Sequence, residues 1–241
     1  MTNSEKKVGS ERLNVWPYVI LPPIILNGGT MILFAVLYAY RYATSAIKTP
    51  GAIQTHYSQD QIAMSIFIFF VEWLFAGLLL YTYQKSGKYI RNLFSRKDNL
   101  LEFRWKPAIL LFILFNVIFI GYIFYLITKM PDLTYREMSQ LQIILFLVLT
   151  PFTAAFTEEL IWRGHIIAGL EHRGKSPWSA ITISAVSFAL FHGIFFPDKL
   201  LVTFIIGIFT GIYYHRERNL LPLMITHWFV DVWSFSIFLL R

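Results

Sequence analysis

The sequence predicts an all-α fold, a polytopic membrane helix bundle of about seven transmembrane helices, or eight if one span is split. Hydrophobic residues make up 56% of the 241 residues and charged residues only 15%, whereas about 25% of the residues in a soluble domain are charged. The apolar residues are gathered into runs close to the roughly 20 residues that cross a bilayer as a helix. Most basic residues lie between these runs, where they orient a membrane protein.

Seven apolar segments are predicted to span the membrane. The first follows a basic N-terminal stretch, but it is too long for the apolar region of a signal peptide and no small-residue cleavage site follows it, so we expect it to be retained. A kink is predicted at Pro22 and Pro23, because proline removes a helix hydrogen bond. The predicted spans are about Trp16–Tyr40, Ile62–Tyr83, Pro107–Ile127, Leu141–Ile167, Trp178–Phe196, Leu200–Tyr214 and Leu221–Leu240.

The lysines and arginines of the connections predict the orientation. With the N-terminus in the cytoplasm, the cytoplasmic segments carry 14 of the 21 basic residues and the opposite side carries 6, while Arg163 lies inside a span. This bias predicts a multi-pass protein with a cytoplasmic N-terminus. The chain has no repeat and no linker long enough to separate domains, so residues 1–241 are predicted to form a single integral membrane domain.

The composition also excludes several kinds of chemistry and one class of partner. The chain contains no cysteine, which excludes disulfides, thiolate metal sites and a cysteine nucleophile. The formal net charge is +7, but the basic residues form no binding face, so we expect the lipid bilayer and not a nucleic acid as the partner of these charges.

Ionisable residues inside the predicted spans are the candidates for function. Each costs about 2.5–3.5 kcal/mol at the centre of a membrane helix, so it is expected to serve a purpose there. The set is Glu72, Glu158, Glu159, Arg163, His165, His192, His227 and Asp231.

The stretch TEELIWRG holds the first pattern. Glu159 and Arg163 are four residues apart, so an α-helix places them on one face, where they can form an ion pair. Glu158 points about 100° away and has no partner within its own helix. One interpretation is a structural ion-pair network between helices. The other is that Glu159 and Arg163 support a functional carboxylate at Glu158.

Two further patterns, FALFHG and HWFVD, each contain a histidine. A histidine such as His192 on an apolar helix is commonly a core residue satisfied by one hydrogen bond. His227 and Asp231 share a helix face, so Asp231 could fix the tautomer of His227, or both could point into a cavity.

Together the three patterns indicate a hydrolase. Polar groups on different spans are buried against each other and not against lipid, so we expect Glu158, His192, His227 and Asp231 to converge. A glutamate and a histidine that face one water can act as a general base, and a second histidine can stabilise an oxyanion. No serine lies in the context of a Ser-His-Asp nucleophile. The constellation therefore favours peptide-bond hydrolysis without a covalent intermediate.

The three motifs TEELIWRG, FALFHG and HWFVD, in this order, resemble those of the CPBP family. This family contains the type II CAAX prenyl endopeptidases and bacteriocin-processing or immunity proteins. The family-like catalytic core covers about residues 140–240. The resemblance implies an intramembrane glutamate-dependent endopeptidase whose substrate is a membrane-associated peptide or a lipidated protein, for example one with a CAAX-type prenylated C-terminus.

The resemblance also implies roles for the individual residues. Glu158 would activate the water with His192 as its partner, His227 and Asp231 would stabilise the oxyanion, and Glu159 and Arg163 would shape the site. The family often has asparagine where this chain has Asp231. An ionised aspartate cannot donate a hydrogen bond, so Asp231 is either protonated or orients His227.

Alternatives to this function remain open. Glu158, His192, His227 and Asp231 are also residue types that could hold zinc, although the HExxH motif of many zinc proteases is absent. The prediction is that no cofactor is needed, with zinc as the alternative. Two other hypotheses remain. The protein could be a small transporter that uses the buried groups as a proton relay, or it could be a catalytically silent immunity or scaffold protein.

The predicted boundaries contain one discrepancy. They place Glu158 toward the inner end of the fourth span and His192 toward the outer end of the fifth, a mismatch of roughly 10–15 Å. A kink at Pro151, or a helix that continues toward Leu170, would relieve it.

Overall fold

The described part of the chain is 89% helical. A computed structural model describes residues 14–44, 57–86, 91–94, 101–129, 140–194 and 196–239, and no strand occurs among them. The helices are α1 (Trp16–Ala43), α2 (Tyr57–Lys85), α3 (Arg91–Phe94), α4 (Trp105–Lys129), α5 (residues 140–172), α6 (Pro177–Phe191), α7 (Pro197–Glu217) and α8 (Leu221–Leu239).

The seven predicted spans correspond to the seven longer helices, so the prediction of an all-α membrane helix bundle is confirmed. Within the described ranges, α1, α2, α4 and α7 are long and apolar enough to cross a bilayer, and α6 is a shorter apolar helix. Large apolar side chains such as Ile32, Phe70 and Leu110 are about two-thirds exposed, as expected for surfaces that face lipid. The protein is an integral membrane protein. Helix α1 continues through Pro22 and Pro23, which are both buried.

Helix α5 is longer than predicted and is not an α-helix throughout. It consists of Gln140–Ile144, Thr150–Glu158 and Ala168–His172 in α-helical geometry, with π-helical segments at Leu145–Leu149 and Glu159–Ile167. A π-helix has i→i+5 hydrogen bonds and is rare outside functional sites. The second π-helical segment is buried at every residue. The glutamate pair thus lies at the junction between the two geometries.

Helices α6 and α7 approach each other through glycine. A Cβ atom at Gly207 would lie 2.9 Å from the Ala185 Cβ atom, and one at Gly211 would lie 2.9 Å from a methyl carbon of Ile181. Gly207 and Gly211 therefore let the backbones of α6 and α7 approach closely, as small residues do at membrane helix interfaces. This packing fixes α7 against the helix that carries His192.

The short helix α3 contacts the C-terminal part of α7 and the residue that precedes α8. Leu93 is buried, and its carbonyl accepts a hydrogen bond from the Tyr214 hydroxyl at 3.2 Å. The Leu220 amide donates to the Phe94 carbonyl at 2.8 Å. Residues 87–90 and 95–100 of this connection lie outside the described ranges.

Candidate active site

A cavity of about 350 Å³ lies inside the helix bundle. This volume is within the range of about 300–1,000 Å³ of small-molecule binding sites. All seven longer helices contribute to its walls, which are mostly apolar and aromatic. The lining residues that carry a charge or an imidazole are Glu72, Glu158, His192, Lys199, His227 and Asp231.

Glu158 lies at the centre of this polar group. Its Oε2 atom is 3.7 Å from His192 Nε2 and 3.8 Å from His227 Nε2. The residue is 3% exposed, and among the described residues Oε2 has no hydrogen-bond partner. The structure thus brings together Glu158 and both histidines, which the sequence placed on three different spans.

His192 ends α6 and is held by a turn. Its Nδ1 atom lies 2.9 Å from the Phe188 carbonyl. Since a carbonyl can only accept, Nδ1 carries the proton, and Nε2 faces Glu158 with a lone pair. Gly193, directly after it, has a φ of +119°, a conformation that glycine adopts without strain.

Asn27 of α1 fixes this turn from the other side. Its Nδ2 atom donates to the Leu190 carbonyl at 2.7 Å, and its Oδ1 atom accepts from the Ile194 amide at 3.3 Å. It thereby bonds the backbone on both sides of His192. The sequence analysis did not identify Asn27, because nothing local to its own span indicates a partner 163 residues away.

Glu159 and Arg163 form the predicted ion pair and extend it across the bundle. Arg163 Nε lies 3.3 Å from Glu159 Oε2, and both side chains are about 1% exposed. Arg163 Nε and Nη2 also donate to the Thr210 hydroxyl, at 3.0 Å and 2.6 Å. The guanidinium lies 4.1 Å from the centre of the Phe188 ring, a cation–π distance.

The other oxygen of Glu159 determines how His227 is oriented. Glu159 Oε1 lies 2.9 Å from His227 Nδ1. Since a carboxylate paired with arginine can only accept, His227 Nδ1 donates, and Nε2 is directed toward Glu158. Asp231 Oδ2 lies 3.5 Å from that same Nε2 atom. Glu159, and not Asp231, therefore occupies the position that fixes the tautomer of His227.

The expected difference in depth between Glu158 and His192 is absent. Helix α5 continues to His172, so Glu158 lies 14 residues before its end, and His192 lies 15 residues after the start of α6 at Pro177. At about 1.5 Å per residue, both are roughly 20 Å from the connection between the helices. The predicted end of the fourth span at Ile167 was five residues too early.

The remaining ionisable residues divide into two groups. Glu72 and Lys199 line the cavity. Lys199 was assigned to a connection, because the sixth span was predicted to begin at Leu200 and the helix begins at Pro197. His165 lies elsewhere, with Nδ1 3.2 Å from the Tyr83 hydroxyl and its ring against Tyr18. Among the described residues, no group of three or more histidine, aspartate or glutamate side chains has the arrangement needed to hold a metal ion.

Comparison with known families connects this geometry to a chemistry. Residues 140–233 match a family model described as type II CAAX prenyl endopeptidase Rce1-like. The matched segment, less than half of the chain, is similar to this family. The resemblance drawn from the three motifs is therefore confirmed, and the chain carries the domain of a membrane protease family. No curated protein and no solved structure matches the chain.

The Rce1-like segment does not build the cavity by itself. It runs from the first residue of α5 into α8 and includes Glu158, His192, His227 and Asp231. Helices α1, α2 and α4 precede it, yet they supply Leu26, Glu72, Phe115 and other parts of the wall. Five of the six lining residues that carry a charge or an imidazole thus come from the Rce1-like segment, while Glu72 and much of the surrounding apolar surface come from outside it.

Proposed function

We propose that the protein is an intramembrane endopeptidase that hydrolyses a peptide bond with a water activated by Glu158. The observation that carries this proposal is the position of Glu158 Oε2, a buried carboxylate oxygen without a hydrogen bond among the described residues, within 3.7–3.8 Å of two imidazole nitrogens. Polar atoms at such separations commonly share a water molecule.

A water between Glu158 and His192 would be held in a reactive orientation. It can lie about 2.8 Å from both Glu158 Oε2 and His192 Nε2, because those atoms are 3.7 Å apart. Both are acceptors, so the water donates a hydrogen to each and its lone pairs remain free for attack. Attack on the peptide carbonyl forms the new C–O bond, and Glu158 takes the proton.

His227 is suited to stabilise the oxyanion that this attack produces. Glu159, paired with Arg163, fixes the His227 ring through Nδ1, so Nε2 is the nitrogen that faces the reacting atoms. In the imidazolium form, Nε2–H donates to the carbonyl oxygen as negative charge develops on it. Breakage of the C–N bond then follows, and Glu158 returns its proton to the leaving amine.

Asp231 is proposed to act beside His227 on the same oxygen. Its Oδ2 atom lies 3.5 Å from His227 Nε2, and its side chain is 14% exposed. A protonated Asp231 can donate a hydrogen bond, as the asparagine common at this position in the family would. Glu159 already fixes the orientation of the His227 ring through Nδ1, so Asp231 is not needed to orient it.

The substrate proposed for this site is a membrane-associated peptide or lipidated protein, including one with a CAAX-type prenylated C-terminus. The apolar and aromatic wall of the cavity supports an apolar ligand, and the family match supports the prenylated class. A prenyl chain contributes about 0.8 kcal/mol for each buried methylene, so burying it in the cavity would contribute much of the binding free energy.

The test is peptide cleavage by purified protein in detergent, followed by mass spectrometry of S-farnesylated and unmodified peptides that end in a C-a-a-X sequence. Glu158→Gln keeps the shape of the side chain and removes the base, so we expect kcat to fall by about 10²- to 10⁴-fold. The matched control is Glu102→Gln, at an exposed glutamate before α4, which should keep wild-type turnover. Wild-type turnover in Glu158→Gln would remove Glu158 as the base, and absence of cleavage by the wild type would contradict the protease function.

We also propose that the N-terminus lies in the cytoplasm. The proposal rests on the excess of lysine and arginine in the connections assigned to that side. Single cysteines introduced before α1 and between α5 and α6 should react with a membrane-impermeant thiol reagent only after the cells are opened. The chain has no cysteine of its own, so the labelling has no background, and labelling in intact cells would reverse the orientation.

A further inference from the structure

Lys199 places an ammonium group in the apolar cavity. It lies in the first turn of α7 and is the only lysine or arginine among the residues that line the cavity. Its side chain is partly buried. A buried ammonium is costly unless it has a partner, so its surroundings decide what it can do.

The described residues supply no ion pair to Lys199. Its neighbour Asp198 instead accepts a hydrogen bond from the Tyr122 hydroxyl at 3.3 Å. The ammonium belongs to a side chain that lines the same cavity of about 350 Å³ as His192, Glu158 and Asp231. Lys199 therefore lies beside the catalytic cluster with its hydrogen-bond donors open to a ligand.

The proposed reaction offers one anion at a suitable distance. Cleavage after a prenylated cysteine releases a short peptide that ends in the carboxylate of the original C-terminus. Three extended residues span about 10 Å, so that carboxylate stays close to the cavity that both Glu158 and Lys199 line. A charge-assisted hydrogen bond between ammonium and carboxylate is roughly twice as strong as a neutral one.

We infer that Lys199 binds the C-terminal carboxylate of the substrate and thereby selects peptides that end shortly after the scissile bond. This inference rests on the proposed endopeptidase function. It makes Lys199 a specificity residue, and it explains how an apolar cavity would distinguish a true C-terminus from an internal segment of the same sequence.

The experiment compares two S-farnesylated peptides that are identical except that one ends in a carboxylate and the other in a carboxamide. For the wild type, we expect kcat/KM to be about 10- to 100-fold higher for the acid, the effect of a hydrogen bond to a charged group. Lys199→Met should lower this ratio to within about two-fold through a higher KM for the acid. Lys199→Arg, which keeps the charge, should restore most of the preference.

Binding provides a second readout that does not need turnover. Fluorescently labelled versions of both peptides are titrated into Glu158→Gln protein, with and without Lys199→Met. Tighter binding of the acid that disappears with Lys199→Met is expected. Equal affinity of the Glu158→Gln protein for acid and amide would overturn the inference, whether or not the wild type cleaves either peptide.

The kinetics also distinguish selection of the substrate's C-terminus by Lys199 from a purely electrostatic effect of Lys199 on Glu158 or Asp231. If Lys199→Met lowered kcat equally for acid and amide and kept their ratio, Lys199 would act on Glu158 or Asp231 and the inference would be wrong. A thermal unfolding curve in detergent for each variant establishes that the comparison is made on folded protein. Cleavage of both peptides at equal rates by the wild type would overturn the inference and leave the proposed endopeptidase function intact.

Discussion

Single side chains in this protein act through partners on other helices. Glu159 is the clearest case, because one carboxylate oxygen holds Arg163 and the other accepts from His227 on α8. The ion pair with Arg163 follows from the four-residue spacing and was predictable. The bond to His227 was not, because the two residues are 68 positions apart and their meeting depends on how α5 and α8 are rotated.

Glu159→Gln should destabilise the fold. The change leaves the Arg163 guanidinium buried without a carboxylate, which costs about 3–5 kcal/mol when a buried pair is broken from one side. The measurement is the unfolding transition of the purified protein in detergent. The control is Glu102→Gln, at an exposed glutamate, where loss of the charge is expected to change the free energy of unfolding by at most about 1 kcal/mol. Equal effects in the two variants would contradict the buried role of the pair.

Asp231→Asn separates the two roles considered for that residue. If Asp231 must carry a proton to donate to the oxyanion, activity falls at alkaline pH once that proton is lost. Asparagine, which donates at every pH, removes this contribution and leaves only the fall caused by deprotonation of the His227 imidazolium. The ionisable groups that interact with Asp231 are unchanged in the variant, and they include His227, Lys199, Glu159, Glu158 and Glu72. A pH–rate profile of both proteins is the measurement, and an alkaline limb that persists unchanged in the asparagine variant would exclude the protonated donor.

At the scale of helices, hydropathy predicted where each span lies. It did not predict the exact residues at which a helix begins and ends, or the contacts between neighbouring helices. The α7 boundary was misplaced by only three residues, yet that error moved Lys199 out of the cavity. Hydropathy is averaged along a segment, so a charged residue in the first turn of a helix is assigned to the loop. The contacts that align helices, such as Asn27 with the turn of His192, are invisible to a pattern confined to one segment.

Asn27→Leu should lower catalysis more than stability. Loss of the bonds to Leu190 and Ile194 frees the turn that carries His192, and a displacement of about 1 Å at a reacting group can cost about 10²-fold in rate. We expect kcat to fall by about 10- to 100-fold with a smaller change in KM. Ser187→Ala is the control, because its hydroxyl joins α6 to α1 at the Val19 carbonyl and to α5 by accepting from the Trp162 indole N–H, so the change loosens the packing of α6 and keeps the bonds to Leu190 and Ile194. A comparable fall in kcat in that variant would assign the effect to helix packing in general.

Gly207→Ala should weaken the packing of α7 on α6. The added Cβ atom would lie 2.9 Å from the Ala185 Cβ atom, closer than two methyl groups can pack, and overpacking costs about 1–3 kcal/mol. Gly121→Ala on α4 is the control, since nothing lies within 4 Å of its Cβ position. That variant should be neutral or slightly more stable, because alanine is the better helix former by about 1 kcal/mol. Unfolding transitions of both variants in detergent give the comparison.

For the whole molecule, composition and hydropathy were sufficient to predict the class of fold. The three motifs were sufficient to predict the family that residues 140–233 match. The sequence did not reveal that helices outside the Rce1-like segment form part of the cavity wall, since residues such as Leu26 and Phe115 resemble any lipid-facing residue until the bundle is assembled. The polar cluster could be predicted because buried charges are rare in membranes, while the apolar wall carries no such signal.

Activity of the whole protein is expected to be independent of added or removed metal. Prolonged dialysis against a strong chelator, with metal analysis of the protein before and after, should leave turnover of a verified peptide unchanged. The reason is that Glu158 and His192 together can activate a water without a Lewis acid. Loss of activity that stoichiometric zinc restores would instead support the metal-dependent hypothesis, with Glu158, His192, His227 and Asp231 as the ligands.

The π-helical segment Glu159–Ile167 also affects how the chain can change in length. A segment with i→i+5 hydrogen bonds can lose one residue and close with the i→i+4 bonds of an α-helix, so a deletion there need not break the helix. The wider turns then absorb the change, so the residues of α5 after Ile167 keep their rotation relative to Glu158. A one-residue deletion within this segment is therefore expected to yield a helical protein whose later α5 residues still face the same neighbours.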